Sequence, residues 1–222
     1  MCAIWNGTHL NRSSAVEPFV EIDGIAAPLP QANVDTDVIM PKQFLKGITR
    51  DGLARGLFHD LRFDSSGRRR EDFILNQAAY QDPAMLIVGP NFGCGSSREH
   101  AVWGLKQFGV RCLLGTSFAS IFQDNCFRNG LLAIALPAGE VRQLQSLCSD
   151  PSRNRLKVDL VNLRITSREG AAISFDCDAL RRDDLLNGRD AIASTLQFAT
   201  DIRRFEQAHW ATYPWFKPVR RY

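Results

Sequence analysis

The residues best suited to chemistry lie in one short glycine-rich stretch between Gly93 and His100. Glycines let the backbone turn sharply and approach a ligand closely. Ser96 and Glu99 are three positions apart, which is the spacing of a capping box and predicts a helix start at this point. The free N–H groups and positive dipole end of that helix, together with the planar donors of Arg98, would form a cradle for a carboxylate or a phosphate.

This stretch has several other interpretations. A capping box by itself often marks only the start of a helix. A dinucleotide-binding turn would need a third glycine where Arg98 stands, and a P-loop would need Gly-Lys-Ser/Thr, so both are disfavoured. Cys94 and His100 offer a thiol and a base, but their spacing does not show that the side chains meet. A small packed residue is the favoured interpretation of Cys94.

Two acids earlier in the chain, Asp35 and Asp37, form a D-x-D pair. Such a pair either binds a cation or caps backbone amides in a turn, and the second use is the commoner one. The four histidines are scattered, and the six cysteines include no C-x-x-C pair. The sequence therefore predicts neither a metal site nor an iron–sulfur cluster held by this chain alone.

The elements that must position these residues follow from hydrophobic patterning. Three short apolar runs predict buried strands, and the apolar spacing between them predicts two helices. This alternation indicates an α/β fold with a partly parallel sheet, and the glycine-rich stretch follows the first of the three strands. Further alternating runs predict outer strands, followed by two helical segments that reach residue 208. The predicted strands cover residues 19–24, 85–89, 110–115, 131–136, 156–161, 163–166 and 172–176.

Composition narrows the class of protein. The chain has 222 residues, of which 45% are hydrophobic and 23% charged, and its formal net charge is +3. No apolar run approaches the roughly 18 residues that span a bilayer, and the basic residues are not concentrated, so neither a membrane nor a nucleic acid is an expected partner. The first fifteen residues lack the pattern of a secretory leader, and the cysteines are sparse, so a cytoplasmic protein with reduced thiols is expected.

The stretch from Asn91 to Ala101 resembles the signature of the swivelling domain of the aconitase superfamily. Four other segments, residues 33–45, 56–58, 117–132 and 185–192, extend this similarity over nearly the whole range 20–205. The chain as a whole is similar to the small subunits of 3-isopropylmalate dehydratase, an enzyme of leucine biosynthesis. The resemblance implies a swivelling β/β/α domain of the aconitase type, with a mixed sheet and flanking helices. It also implies that residues 1–17 are a flexible N-terminal extension, residues 18–210 the domain and residues 211–222 a C-terminal tail.

The resemblance implies a hydro-lyase that acts only as a heterodimer with a large subunit. That partner would carry a [4Fe–4S] cluster as Lewis acid, and this chain would bind no cofactor or metal of its own. The pair would interconvert 2-isopropylmalate and 3-isopropylmalate by dehydration and rehydration. Among the matched positions, Ser96 corresponds to the catalytic base. The matched substrate-binding positions are Gly95, Ser97, Arg98, Thr36 and Asp37.

Substrate choice is assigned by the same resemblance to the loop containing Phe44, Leu45, Lys46 and Gly47. An isopropyl group needs an apolar wall, which the first two residues offer, whereas homocitrate would need a cation near its far carboxylate. Related dehydratases act on citramalate, methylmalate or homocitrate, so a paralogous small subunit is the main alternative. A stand-alone carboxylate-binding module and a thiol hydrolase that uses Cys94 are the alternatives from other classes.

Overall fold

A mixed sheet of seven strands organises the part of the chain that the structure describes. The structure is a computed structural model, and it describes residues 16–45, 52–96, 98–170 and 172–218. The strands lie in the order β4-β3-β2-β1-β5-β6-β7, so the chain begins in the middle of the sheet and builds outwards on both sides. Their bounds are β1 Glu21–Leu29, β2 Met85–Val88, β3 Cys112–Gly115, β4 Leu132–Ala135, β5 Arg155–Asp159, β6 Arg164–Ser167 and β7 Ala172–Ser174.

Pairing divides the sheet into two halves. Strands β1 to β4 are joined by parallel pairs, with Ala27 beside Leu86 and Leu86 beside Leu113. Strands β1, β5, β6 and β7 are joined by antiparallel pairs. All seven strands overlap segments predicted from the sequence, and β1 is longer than predicted because it continues through the buried residues Ala26 to Leu29.

Eight α-helices complete the described part of the chain. Two, α1 and α2, have a single turn and lie between β1 and β2, while α3, α4 and α5 follow β2, β3 and β4. The last three follow β7, whereas the sequence predicted two helical segments there. The bounds are α1 Thr36–Ile39, α2 His59–Arg62, α3 Glu99–Gln107, α4 Ser120–Arg128, α5 Ala138–Cys148, α6 Ala179–Asn187, α7 Ala191–Leu196 and α8 Ala199–Thr212.

The parallel half of the sheet is buried on both faces, which explains its continuously apolar strands. In β2, Leu86 and Val88 join the hydrophobic cluster that contains residues of α1, α3 and α4. Met85 and Ile87 point to the other side and join the cluster that contains residues of α5 and α6. Burial of both faces therefore fixes the strands, and with them the loops that leave their carboxyl ends.

The predicted faces of α3 and α4 are largely confirmed. Ala101 and Leu105 are buried in α3, and Phe122 and Cys126 are buried in α4. Ile121 was predicted on the same apolar face but is 61% exposed, because it is adjacent to Phe122 and points away from the core. Helix α4 ends at Arg128 with Asn129 as its C-cap, and the next residue, Gly130, adopts a positive φ of 72°, as a residue following a helix often does.

None of the helices in the described part of the chain is long and apolar enough to cross a membrane. No residue of helix α8 is buried, and its large apolar side chains Ile202 and Phe205 are exposed. It packs mainly against the short 3₁₀ turn Pro214–Phe216, which follows it in the chain.

Candidate active site

The glycine-rich loop leaves β2 at the carboxyl edge of the parallel half-sheet, as the sequence predicted. Because β1, β2 and β3 are parallel neighbours, the loops that follow them emerge at the same edge. The loop of residues 89–96, which we call the serine loop, therefore lies between the loop after β1 and the loop after β3. Ligands of open α/β sheets bind at this edge.

Backbone hydrogen bonds hold the serine loop on the β1 side. The amide of Gly93 donates to the carbonyl of Val34 across 2.8 Å, and the amide of Thr36 donates to the carbonyl of Cys94 across 3.0 Å. The hydroxyl of Thr36 donates to the carbonyl of Ser96 across 2.6 Å. Three successive contacts thus attach residues 93–96 to the segment that contains the D-x-D pair.

A second set of bonds holds the loop on the β3 side. The amide of Phe92 donates to the carbonyl of Ser117 (3.3 Å), and the amide of Ala119 donates to the carbonyl of Phe92 (3.0 Å). The hydroxyl of Ser117 accepts from the amide of Asn91 at 2.9 Å. Attachment on both sides means that the backbone leading to Ser96 has a defined path.

Two glycines of the loop are required by its geometry. Gly93 has φ +77°, and a Cβ at this position would lie 2.2 Å from the ring of Phe122. Gly95 has φ +83°, and its added Cβ would lie 3.3 Å from the Cβ of Asp35. Residues that carry a Cβ rarely adopt a positive φ, so both positions favour glycine.

Beyond the loop, the guanidinium of Arg98 forms a hydrogen-bonded ion pair with the carboxylate of Asp37. The Arg98 side chain is 22% exposed and that of Asp37 is 42% exposed. Lys42 lies 3.9 Å from the same carboxylate and is largely exposed. The structure therefore brings together two predicted substrate-binding residues from segments 61 positions apart, next to the exposed residue Ser96.

Asp35 uses its carboxylate differently. Its Oδ1 accepts a hydrogen bond from the amide of Val38 at 2.8 Å, so Asp35 is the N-cap of α1. This is the capping role that was the favoured interpretation of the acid pair. Among the described residues, no three His, Cys, Asp or Glu side chains cluster in a way that could hold a metal ion.

The predicted capping box is wrong. Helix α3 begins at Glu99, its N-cap is Arg98, and the Arg98 side chain makes no capping hydrogen bond. Ser96 lies outside the helix because the loop with its two positive-φ glycines continues through Gly95. The Glu99 carboxylate turns away and accepts a hydrogen bond from Asn129 Nδ2 at 2.8 Å.

Asn129 makes several hydrogen bonds that connect α4 with α3, and the sequence analysis did not predict this role. It is only 9% exposed. Besides Glu99, its amide nitrogen donates to the carbonyl of Asn125 at 2.9 Å, and its Oδ1 accepts from the indole N–H of Trp103 at 3.0 Å. Its own carbonyl accepts from Lys106. The end of α4 is thereby bonded to α3 along its length, from Glu99 in the first turn to Lys106 in the last.

Neither Cys94 with His100, the pair considered for thiol chemistry, nor the buried cysteines form a reactive thiol site in the described chain. Cys94 is partly buried, and its backbone bridges to Asp35. The His100 ring packs on Trp103 with 4.7 Å between ring centroids. Burial raises the pKa of the Cys112 and Cys126 thiols and raises the pKa of Cys148 to about 12. These three thiols are therefore kept protonated and unreactive at neutral pH.

The segment predicted to select the substrate is only partly described. Residues 42–44 form a 3₁₀ turn, and Phe44 and Leu45 are partly buried against the hydrophobic cluster beneath α1 and α3. The Phe44 ring lies 5.0 Å from the His59 ring. Lys46 and Gly47 lie outside the described residues, as does Ser97.

Comparison with known proteins shows the family of the chain that carries this site. Residues 16–139 match the family of the aconitase C-terminal domain, and residues 192–219 match the family of the C-terminal domain of 3-isopropylmalate dehydratase small subunits. The chain is 53% identical to 3-isopropylmalate dehydratase small subunit 1 of Mannheimia succiniciproducens, over 91% of this chain and 100% of the relative. It is 51% identical to small subunit 2 of Salmonella typhimurium, over 91% of this chain and 97% of the relative.

A solved structure supports the same fold. The crystal structure of a 3-isopropylmalate dehydratase chain from Methanocaldococcus jannaschii superimposes with a TM-score of 0.59 at 25% sequence identity. The superposition covers 85% of this chain and 98% of that chain. The mixed sheet with flanking helices is thus the aconitase-type fold that the resemblance implied.

Proposed function

Since this chain belongs to the family of 3-isopropylmalate dehydratase small subunits, we propose that it is the small subunit of a hydro-lyase that interconverts 2-isopropylmalate and 3-isopropylmalate in leucine biosynthesis. The observation that carries the proposal is the arrangement of Ser96 and the Arg98–Asp37 ion pair at the carboxyl edge of the parallel strands. These residues are exposed or half-buried at the surface, so the site would need a large subunit to close it.

The reaction explains why a serine and an arginine would stand together. The proton to be removed lies beside a carboxylate and is weakly acidic, so negative charge develops on the substrate in the transition state. Fixed positive groups stabilise such charge, and the Arg98 guanidinium can bind a carboxylate through two parallel hydrogen bonds. In this proposal Arg98 holds a substrate carboxylate, and Asp37 fixes the orientation of the guanidinium.

Ser96 would remove the carbon-bound proton in one direction and return it in the other. A serine is a poor base by itself, so its oxygen needs a positive environment to carry charge. The Arg98 side chain and the first free amides of α3 would supply that environment. Gly95 and Ser97, which flank Ser96, complete the proposed substrate-binding set.

The cysteines that the structure describes do not fit an iron–sulfur cluster. Cys112, Cys126 and Cys148 are buried in the core, and the described part of the chain holds no group of metal-binding side chains. We therefore assign the [4Fe–4S] cluster, which would act as a Lewis acid on the departing hydroxyl, to the large subunit. Five free cysteines in the described chain suit a reducing compartment, and we propose the cytoplasm.

The test is reconstitution with the cluster-bearing large subunit of a relative. The purified chain alone should show no turnover of 2-isopropylmalate, and the reconstituted pair should turn it over. Ser96→Ala should lower kcat on the order of 10³-fold or more without preventing assembly. Ser174→Ala, at an exposed position of β7, is the matched control and should retain full activity.

Two results would contradict the proposal. One is activity of the chain without any partner. The other is a Ser96→Ala pair with turnover within tenfold of the unmodified pair.

A further inference from the structure

Thr36 occupies an unusual place in the site. It is 1% exposed, although the residues on both sides of it in the chain are partly exposed. Its hydroxyl donates to the carbonyl of Ser96 at 2.6 Å. Its amide donates to the carbonyl of Cys94 at 3.0 Å. One residue therefore binds the serine loop at two alternate carbonyls.

This geometry leaves the Thr36 hydroxyl poorly suited to a substrate contact. A hydroxyl has a single proton to donate, and here that proton is directed at a backbone carbonyl. The side chain is closed off from solvent, so a substrate could reach it only by displacing the serine loop. The resemblance alone placed Thr36 among the substrate-binding residues, whereas the contacts place it behind the proposed base.

Thr36 is itself firmly held. It is the first residue of α1, whose N-cap is Asp35, and its carbonyl accepts from the amide of Met40 at 2.9 Å. The next residue, Asp37, is ion-paired with Arg98. The first turn of α1 thus contacts both ends of the segment 96–98, through a hydroxyl at one end and a carboxylate at the other.

From these contacts, and resting on the proposed function, we infer that Thr36 is a positioning residue that fixes the Ser96 carbonyl and so orients the Ser96 hydroxyl toward the substrate. Ser96 is exposed, so its side chain keeps one direction only if the backbone that carries it is held. A displacement of the base of about 1 Å can lower the rate about 10²-fold without loss of substrate binding.

The inference predicts a change in kcat that is separate from KM. Thr36→Val keeps the shape of the side chain and removes the hydroxyl. In the reconstituted pair it should lower kcat about 10- to 100-fold while KM stays within about threefold. Thr36→Ser retains the hydroxyl and should recover most of kcat.

A matched control is available in the same chain. Thr195 also donates its hydroxyl to a backbone carbonyl, that of Ala191 at 2.9 Å, but on the exposed helix α7. Thr195→Val should leave both kcat and KM unchanged. If Thr36→Val fails to fold, Thr36→Cys carries the test, because a thiol is a weaker donor of similar size and should lower kcat at least fivefold.

The outcomes separate this inference from the proposed function. Turnover of isopropylmalate by the unmodified pair establishes the function independently of Thr36. An active unmodified pair in which Thr36→Val, or Thr36→Cys in its place, keeps normal kcat would overturn the inference. A raised KM with unchanged kcat would overturn it as well, because that result indicates a direct substrate contact.

Discussion

Asn129 Nδ2 lies 2.8 Å from Glu99 Oε1 and bonds the end of α4 to the first turn of α3. The carboxylate that sequence spacing assigned to a capping box is thus used between two helices. Because Asn129 also accepts from Trp103 Nε1, its side chain satisfies groups on two turns of α3. The helix that follows the serine loop is held in place by a polar contact in a largely apolar setting.

Asn129→Leu should destabilise the chain by about 2–3 kcal/mol, because it removes the hydrogen bonds that Asn129 makes with the partly buried Trp103 indole and Glu99 carboxylate. Urea unfolding of the isolated chain measures the loss. Asn162→Ala, in the exposed turn after β5, is the control and should cost less than about 1 kcal/mol. Equal effects of the two substitutions would show that Asn129 has no special structural role.

Gly93→Ala should destabilise the chain by more than about 2 kcal/mol, since the new Cβ meets the Phe122 ring and the backbone has a positive φ. Gly139→Ala is the comparison, because nothing lies within 4 Å of its added Cβ and it is in helix α5. That substitution should be neutral or stabilise by up to about 1 kcal/mol. Thermal unfolding of both variants checks the difference, and a stable Gly93→Ala chain would contradict the described loop geometry.

Arg98→Lys should lower kcat/KM of the reconstituted pair about 10²-fold or more, because an ammonium cannot reproduce the planar fork of a guanidinium. Asp37→Asn should also lower kcat/KM, and the double variant should lose less than the product of the two single losses, since the two groups act as one ion pair. Steady-state kinetics of the three variants measure this coupling. Independent, multiplicative effects would indicate that Asp37 does not act through Arg98.

Cys94→Ser should leave the pair active, with kcat within about threefold of the unmodified pair. Cys94 contributes its backbone carbonyl to Thr36, and that contact does not depend on the sulfur atom. Isopropylmalate turnover is the measurement, with Ser96→Ala as the inactive reference. Complete loss of activity in Cys94→Ser would favour the thiol-based alternative.

We expect the apolar residues Phe44 and Leu45 to favour an apolar substituent on the substrate. The reconstituted pair should have higher kcat/KM for 2- and 3-isopropylmalate than for homocitrate or citrate. Citramalate-type acids should be the nearest rivals, since the loss of two methyl groups from an apolar pocket costs only about 1–3 kcal/mol. A preference for homocitrate or citrate would indicate that a cation such as Lys46 faces the substrate.

The strands were predictable because each is a short apolar or alternating run bounded by turn residues. Helix α5 was not predicted, although Val141, Leu144 and Cys148 recur on its buried face at helical spacing. The capping box failed because Gly93 and Gly95 both adopt positive φ, and a spacing of three residues does not reveal where a turn ends and a helix begins. Local sequence chemistry does not show this, since the Glu99 carboxylate bonds Asn129, which lies 30 positions away in the chain.

The site was predictable in part. The serine loop follows a strand that patterning predicts, and its position at the carboxyl edge of the parallel strands follows from that. The Arg98–Asp37 pair depends on which strands are neighbours, because β1 and β2 are adjacent while α1 and α2 separate them in sequence. Buried Arg62, which donates to the carbonyls of Ala54 and Leu57, gave no sequence signal, since an arginine in a single-turn helix is usually exposed.

The hydrogen bonds from the serine loop to Val34 and Ala119 join main-chain atoms on both sides. Such bonds are available to any residue except proline at the donor position. Apart from Thr36 and Ser117, whose hydroxyls also bond the serine loop, substitutions in the two flanking loops should therefore leave Ser96 in place, provided that the backbone path is preserved. The shape of the site therefore depends little on the side chains around it. Surface residues that meet the substrate or the partner can differ between relatives while the position of Ser96 stays the same.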